Sequence, residues 1–315
     1  MPSTSSNSTP LVEPSSMAQP MNSHKLRQRV IMGVFLLSVA TVCIIWGGWA
    51  WFLLLYIVFY QGFTELYQIF KAKGIVASKV SVFLVGTFIL LLAQLRLTQF
   101  MMPCVALGVI VSFIRLLFRQ PPKYERAATI NDMGATLLAI FYLGFLPMHY
   151  ILLRQMAPTQ PLPLMFESGV YYVFITCLVI SASDIGAYFV GKFFGRHPLY
   201  PQISPKKTRE GAVGGLVFAC IAGLGFLLTG QFTWWHALIL STLLNLVSLL
   251  GDLTESLMKR DAGLKDSGTI LMGHGGFLDR FDSYLFCGVL SYYYIHWFIL
   301  HEGLAQNVLD VINFF

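Results

Sequence analysis

Residues 30 to 60, VIMGVFLLSVATVCIIWGGWAWFLLLYIVFY, carry no charged side chain. A helix needs about 20 predominantly apolar residues to cross a bilayer. The run is too long for one such span and much longer than the apolar core of a cleaved secretory signal, so its Trp46-Gly47-Gly48 step marks a break between two spans. The rest of the chain has the same character. Only 11% of the 315 residues are charged and 56% are hydrophobic, with a mean hydropathy of +0.67. That composition excludes an ordinary soluble globule.

Spans are expected at roughly 29–46, 49–69, 78–98, 100–118, 128–152, 168–191, 212–229, 234–250 and 283–301. The predicted fold class is therefore all-α, a polytopic integral membrane protein with about nine transmembrane helices. The Ser-, Pro-, Asn- and Thr-rich start lacks hydrophobic periodicity, which predicts a disordered cytosolic tail over residues 1–28. An N-terminal transmembrane region over 29–165 and a C-terminal transmembrane region over 166–315, with the longer charged segments, are expected. Cys43, Cys104, Cys177, Cys220 and Cys287 lie in apolar runs without CxxC spacing. They read as packing residues rather than as a disulfide framework or a zinc site.

Membrane proteins concentrate lysine and arginine in cytoplasmic loops. With these spans, all of the 21 lysines and arginines fall on one side except Arg96 and Arg154. The asymmetry predicts a cytosolic N-terminus, places the long polar segments of the second half on the cytosolic face, and puts HEGLAQNVLDVINFF on the far side. The net charge of +6 on that face also favours anionic lipid head groups.

Two of the cytosolic segments mix acids with bases. In residues 181–215, Asp184 falls inside an apolar span, where acids usually face a cavity with a partner; a salt bridge within the bundle is the plainer alternative. Beyond it, Ser204, Lys206, Lys207, Thr208 and Arg209 lie between Pro205 and Gly214-Gly215. This composition lets backbone and cationic groups approach phosphates, although no GxxxxGK[ST] loop is present. In residues 251–282, a helix after Gly251 would set Asp252, Glu255, Ser256 and Lys259 on one face. Asp279 and Asp282 form a second i, i+3 pair. The two acidic faces suit an oxygen cage for Mg²⁺, with Lys259, Arg260, Lys265 and Arg280 available for a polyphosphate. The alternative is an amphipathic interfacial loop laced with salt bridges.

The run Ser256-x-x-Lys259-Arg260-x4-Lys265-Asp266, followed by His274-Gly275-Gly276-x-x-Asp279-Arg280-x-Asp282, closely resembles the signature of the phosphatidate cytidylyltransferase (CDP-diacylglycerol synthase) family, bacterial type. Asp184-x-x-Ala187-Tyr188 and Ser204-Pro205-x-Lys207-Thr208-x-x-Gly211 resemble that family's other cytosolic motif. Met272 and Arg209 depart from the pattern, where Pro or Gly and a Trp are usual. Met272 would loosen the turn before His274, and Arg209 either adds a phosphate contact or snorkels.

The resemblance implies cytidylyl transfer from CTP to phosphatidic acid, giving CDP-diacylglycerol and pyrophosphate, at the inner (plasma) membrane of a bacterial-type cell. It implies Asp252 and Asp279 as Mg²⁺ carboxylates, with a second cation such as K⁺ between them. Lys206, Lys207, Lys259, Lys265 and Arg280 are the implied polyphosphate partners. Ser204, Thr208, Ser256, Gly275 and Gly276 complete the expected substrate site. Asp184, Asp266 and Asp282 bind metal or hold a nearby base, and His274 either contacts phosphate or shapes the turn. The expected partners are CTP, phosphatidic acid, membrane lipid and a second copy of the chain as a homodimer, with no nucleic acid. A CTP-dependent kinase for a polyprenol- or phytol-type alcohol would need a base for its hydroxyl acceptor, and the long C-terminal signature argues against it. A transporter is disfavoured by the absence of inverted repeats.

Overall fold

The computed structural model describes residues 23–121, 125–157, 166–268 and 276–300. The expected tail as far as residue 22, Met272, His274, Gly275 and the segment after residue 300 lie outside them. The described chain is almost entirely helical: α1 (Ser23–Trp46), α2 (Gly48–Ala72), α3 (Lys79–Gln94), α4 (Met101–Leu117), α5 (Ile130–Ala139), α6 (Leu146–Arg154), α7 (Ser168–Phe194), α8 (Arg209–Gly223), α9 (Trp234–Asp261) and α10 (Leu278–Tyr294). Each of the nine expected spans falls mostly on helix, the last as far as the described residues reach. By length and composition, six segments among the described residues suffice to cross a membrane, and Gly33–Trp46 and Lys79–Gln94 are shorter apolar helices. The protein is thus a polytopic membrane protein, without the count of nine being fixed.

The break between the first two helices falls where the sequence places it. Gly47 and Gly48 adopt φ values of 65° and 51°, a left-handed region open to glycine at little cost. A side chain at Gly47 would also meet Arg154, whose Nη2 lies 2.5 Å from the Cβ position. Arg154 is buried. Its Nε donates to Ile44 O at 2.7 Å and its Nη2 to Ile45 O at 3.2 Å, while Nη1 pairs with Glu167 at 2.7 Å. An arginine expected merely in a far-side loop therefore satisfies the open carbonyls at the end of α1.

Three other details depart from expectation. The span at 128–152 is not one regular helix, because Ile140–Phe145 winds as a π-helical turn between α5 and α6. Pro147, inside the first turn of α6, has no N–H to return to the preceding turn. The segment expected as a loop after α7 contains an antiparallel hairpin, β1 (Pro198–Tyr200) with β2 (Ser204–Thr208), in which Pro198 faces Thr208 and Tyr200 faces Ser204. Finally, α9 runs on to Asp261 and α10 begins at Leu278, so Asp252, Glu255, Asp279 and Asp282, expected between spans 234–250 and 283–301, stand on helices, whereas Asp266 lies in the connection between them.

One hydrophobic cluster runs from Ile44 to Leu300. Within it α7 packs along α8, α9 lies against both α8 and α10, and α10 also meets α6 and α2. The α7–α8 approach is close because of glycine. A Cβ at Gly214 would enter the Val190 side chain, and one at Gly215 would lie 3.0 Å from both Ser183 O and Asn245 Oδ1. The glycine pair expected to admit phosphates instead admits neighbouring helices, the small-residue packing of membrane bundles. Large apolar side chains such as Phe35, Leu37, Leu117 and Phe193 face outward, as a hydrocarbon surround requires.

Candidate active site

An open cleft of about 420 Å³ lies between α7, α8, α9 and β2, with Asp184, Lys206, Lys207, Thr208, Asn245 and Asp252 among its lining. The hairpin supplies two of its cations, since residues 206 and 207 both belong to β2, and α7 supplies a third, Lys192. The Lys207 ammonium meets Asp252 at 2.5 Å, and Ser256 donates to the other oxygen of Asp252 at 3.3 Å. Thr208 instead caps α8, its hydroxyl oxygen accepting from the Gly211 N–H at 3.1 Å. Asn245 accepts from Ser183 at 2.7 Å, holding α9 to α7 at the floor.

A second cluster forms deeper, where the last turns of α9 meet the start of α10. Lys259 is ion-paired with both Glu255 and Asp279. Asp279 also accepts from the N–H groups of Gly276, at 2.8 Å, and Ser267, at 3.2 Å. Its carboxyl is opposed by burial, but Lys259 and the Gly276 N–H outweigh that and hold it below the usual carboxylate range. One turn later, and still before the apolar part of α10, Asp282 accepts from the Ser283 N–H at 2.6 Å. Burial, reinforced by the charge of Asp252, pushes its carboxyl up to about 7.

The structure thus gathers the expected residues into two groups. Asp184, Lys206, Lys207, Thr208 and Asp252 share the cleft, with Ser256 bound to Asp252; Lys259 and Asp279 form the deeper pair. Asp282 lies within the field of Asp252, Lys207 and Lys259. Lys265, Asp266 and Arg280 are exposed, Ser204 is half-buried at the start of β2, and Gly276 is buried. Arg260 hydrogen-bonds Ile203 O and Leu264 O, tying α9 to the turn of the hairpin.

Sequence reasoning passed over Glu65 on α2. It is fully buried and accepts from Ser267 Oγ at 3.0 Å and from the N–H groups of Phe277 and Leu278, both at 2.7 Å. The signal was present, since Glu65 is an acid inside an apolar run, as Asp184 is. Glu255 was placed on the polar face of α9 without its role as the fully buried partner of Lys259.

The donor chemistry fits a hard divalent cation, because the carboxylates of Asp184 and Asp282 each lie within the field of Asp252 and of Lys207, and carboxylate oxygens are the ligands Mg²⁺ prefers. Among the described residues, however, no group of three or more His, Cys, Asp or Glu side chains is close enough to enclose an ion.

A model of the cytidylyltransferase family matches residues 27–298. The chain is 39% identical over 292 residues to a phosphatidate cytidylyltransferase of Synechocystis sp., an alignment covering 85% of this chain and 96% of that one. It is 33% identical over 272 residues to the phosphatidate cytidylyltransferase of Bacillus subtilis, covering 85% and 97%. Similarity extends to the chloroplastic phosphatidate cytidylyltransferase 4 of Arabidopsis thaliana, at 32% over 298 residues, covering 86% and 73%.

Proposed function

The chain belongs to the cytidylyltransferase family, and from that premise we propose that it is the integral-membrane enzyme transferring the cytidylyl group of CTP to phosphatidic acid. A phosphate-monoester oxygen of the lipid attacks the α-phosphorus of CTP, the bond to the β-phosphate oxygen breaks, and CDP-diacylglycerol and pyrophosphate result. A phosphate monoester has a second pKa near ~6, so the lipid arrives as a nucleophilic oxyanion and no side chain need remove a proton. The protein's work is alignment and charge neutralisation.

The observation that carries this reading is the cleft, which presents Lys206 and Lys207 opposite Asp184 and Asp252. Lys206 and Lys207 bind the triphosphate, and Ser256 steadies Asp252. Lys265 and Arg280, both exposed, extend the cationic surface toward the β- and γ-phosphates, and the buried Lys259 adds its charge from within the deeper pair. Asp252 and Asp279 are our assignment for the carboxylates that hold Mg²⁺, each neutralised by a lysine in this structure, with K⁺ as the candidate for a second ion. When bound, Mg²⁺ supplies charge neutralisation for the triphosphate and the departing pyrophosphate. The charge asymmetry of the loops supports a cytosolic cleft in a bacterial-type inner membrane. A homodimer remains part of the proposal.

The test is purified protein with labelled CTP and a panel of lipid acceptors. Label should enter lipid, with matching pyrophosphate release, only with phosphatidic acid. Transfer of phosphate to polyprenol or diacylglycerol, or no lipid product at all, contradicts the reading.

A further inference from the structure

Placing a carboxylate in an apolar interior costs several kcal/mol unless hydrogen bonds replace its water. Glu65, in the C-terminal half of α2, bears that cost fully buried. Its three donors, Ser267 Oγ and the N–H groups of Phe277 and Leu278, all come from the other half of the chain. They are the two ends of one connection, since Ser267 follows α9 and Phe277 and Leu278 open α10. Asp279 grips the same neck from the other side, accepting from the N–H groups of Ser267 and Gly276. The fit is close enough to demand glycine. A Cβ at Gly268 would lie 2.7 Å from one Glu65 oxygen, and a Cβ at Gly276 would lie 2.7 Å from the other.

We propose that Glu65 is a positioning residue for cytidylyl transfer: it clamps the neck of the α9–α10 connection and so fixes Asp279 where it meets Lys259. This inference rests on the reading of Asp279 and Lys259 as site residues. Glu65 is fully buried and is not among the residues that line the cleft. A buried acid with a purely structural role would stabilise the fold and leave the chemistry of folded molecules unchanged. A positioning acid sets the geometry in which Asp279 works, so its loss appears in kcat while KM is kept.

Glu65→Gln preserves size but removes the charge and turns an NH₂ group toward backbone donors. Its kcat should fall about 10–100-fold, the loss typical of outer-shell partners of active-site ligands, with KM for CTP and phosphatidic acid essentially unchanged. Glu65→Asp, which keeps the charge, should recover part of that rate. Amide hydrogen exchange across residues 276–282 of the full chain, measured without substrate, should accelerate in Glu65→Gln. Wild-type kcat in folded Glu65→Gln, or unchanged exchange at the neck, overturns the proposal. If Glu65→Gln fails to fold, Ser267→Ala removes a single donor: a smaller kcat loss with faster neck exchange supports the clamp, and wild-type behaviour in both overturns it. If the unmodified protein makes no CDP-diacylglycerol, the functional reading is what has failed. Neck exchange then decides alone whether Glu65 holds this connection.

Discussion

Lys207 and Asp252 are 23% and 34% exposed and meet across an open cleft, whereas Lys259 and Asp279 are 10% and 14% exposed beside a Glu255 with no exposure at all. Both pairs join a lysine to an aspartate near the end of α9, and their surroundings give them different work. The cleft pair can open toward solvent or substrate at little cost, because partly hydrated ion pairs contribute only about 0–1 kcal/mol to stability. The deeper pair is embedded among Glu65, Glu255, Ser267 and the start of α10, where removing one partner strands a charge. The first pair is therefore free to exchange partners when substrate arrives, whereas the second can serve the reaction only as part of a buried network that also holds the fold.

Breaking the deeper pair should therefore have the largest effect on the fold. Lys259→Met leaves Glu255 and Asp279 facing each other without a cation, a loss of about 3–5 kcal/mol. Thermal unfolding in detergent should show a strongly lowered midpoint, and a midpoint equal to wild type would erase the contrast. An intermediate effect is expected at the packing seam beneath the cleft. Gly214→Leu drives a side chain into Val190 and should cost about 1–3 kcal/mol by overpacking, lowering both the melting midpoint and the yield of folded protein. Lys207→Met should have the smallest effect on the fold, under about 1 kcal/mol. It should nevertheless lower kcat/KM for CTP by about 10–100-fold, from the loss of a charge-assisted contact worth about 1.5–3 kcal/mol. Steady-state kinetics alongside a melting curve separates the two readouts, and a Lys207→Met protein that melts early but turns over CTP normally would reverse the assignments of the pairs.

The parts of this arrangement that were legible in the sequence are local. Uninterrupted apolar runs announced the helices, the Trp46-Gly47-Gly48 step announced the first break, and the spacing of Asp252, Ser256 and Lys259 announced a shared helical face. Hydropathy could not give the ends of α9 and α10, because both helices continue into polar sequence where tertiary contacts carry them. The hairpin was hidden by Pro198, Pro201 and Pro205, which read as loop but are tolerated in a short ribbon with few paired N–H groups. The roles of Glu65 and Arg154 were hidden for another reason, although an acid inside an apolar run was itself a visible signal at Glu65. Each is a single charge whose meaning depends on partners far away: Ser267 and Leu278 for Glu65, 202 and 213 positions along, and Ile44 for Arg154, 110 positions away. Periodicity carries no record of such pairings.

If CTP and phosphatidic acid react in the open cleft, the Asp252 carboxylate within it is the group whose charge the reaction can least do without. Asp252→Asn keeps the side chain's size and one acceptor oxygen while removing that charge, so the bundle should keep its melting midpoint. Cytidylyl transfer measured over a Mg²⁺ titration should then be nearly abolished at every concentration, a loss of several kcal/mol of transition-state stabilisation. Near wild-type turnover by Asp252→Asn across that titration would contradict the account.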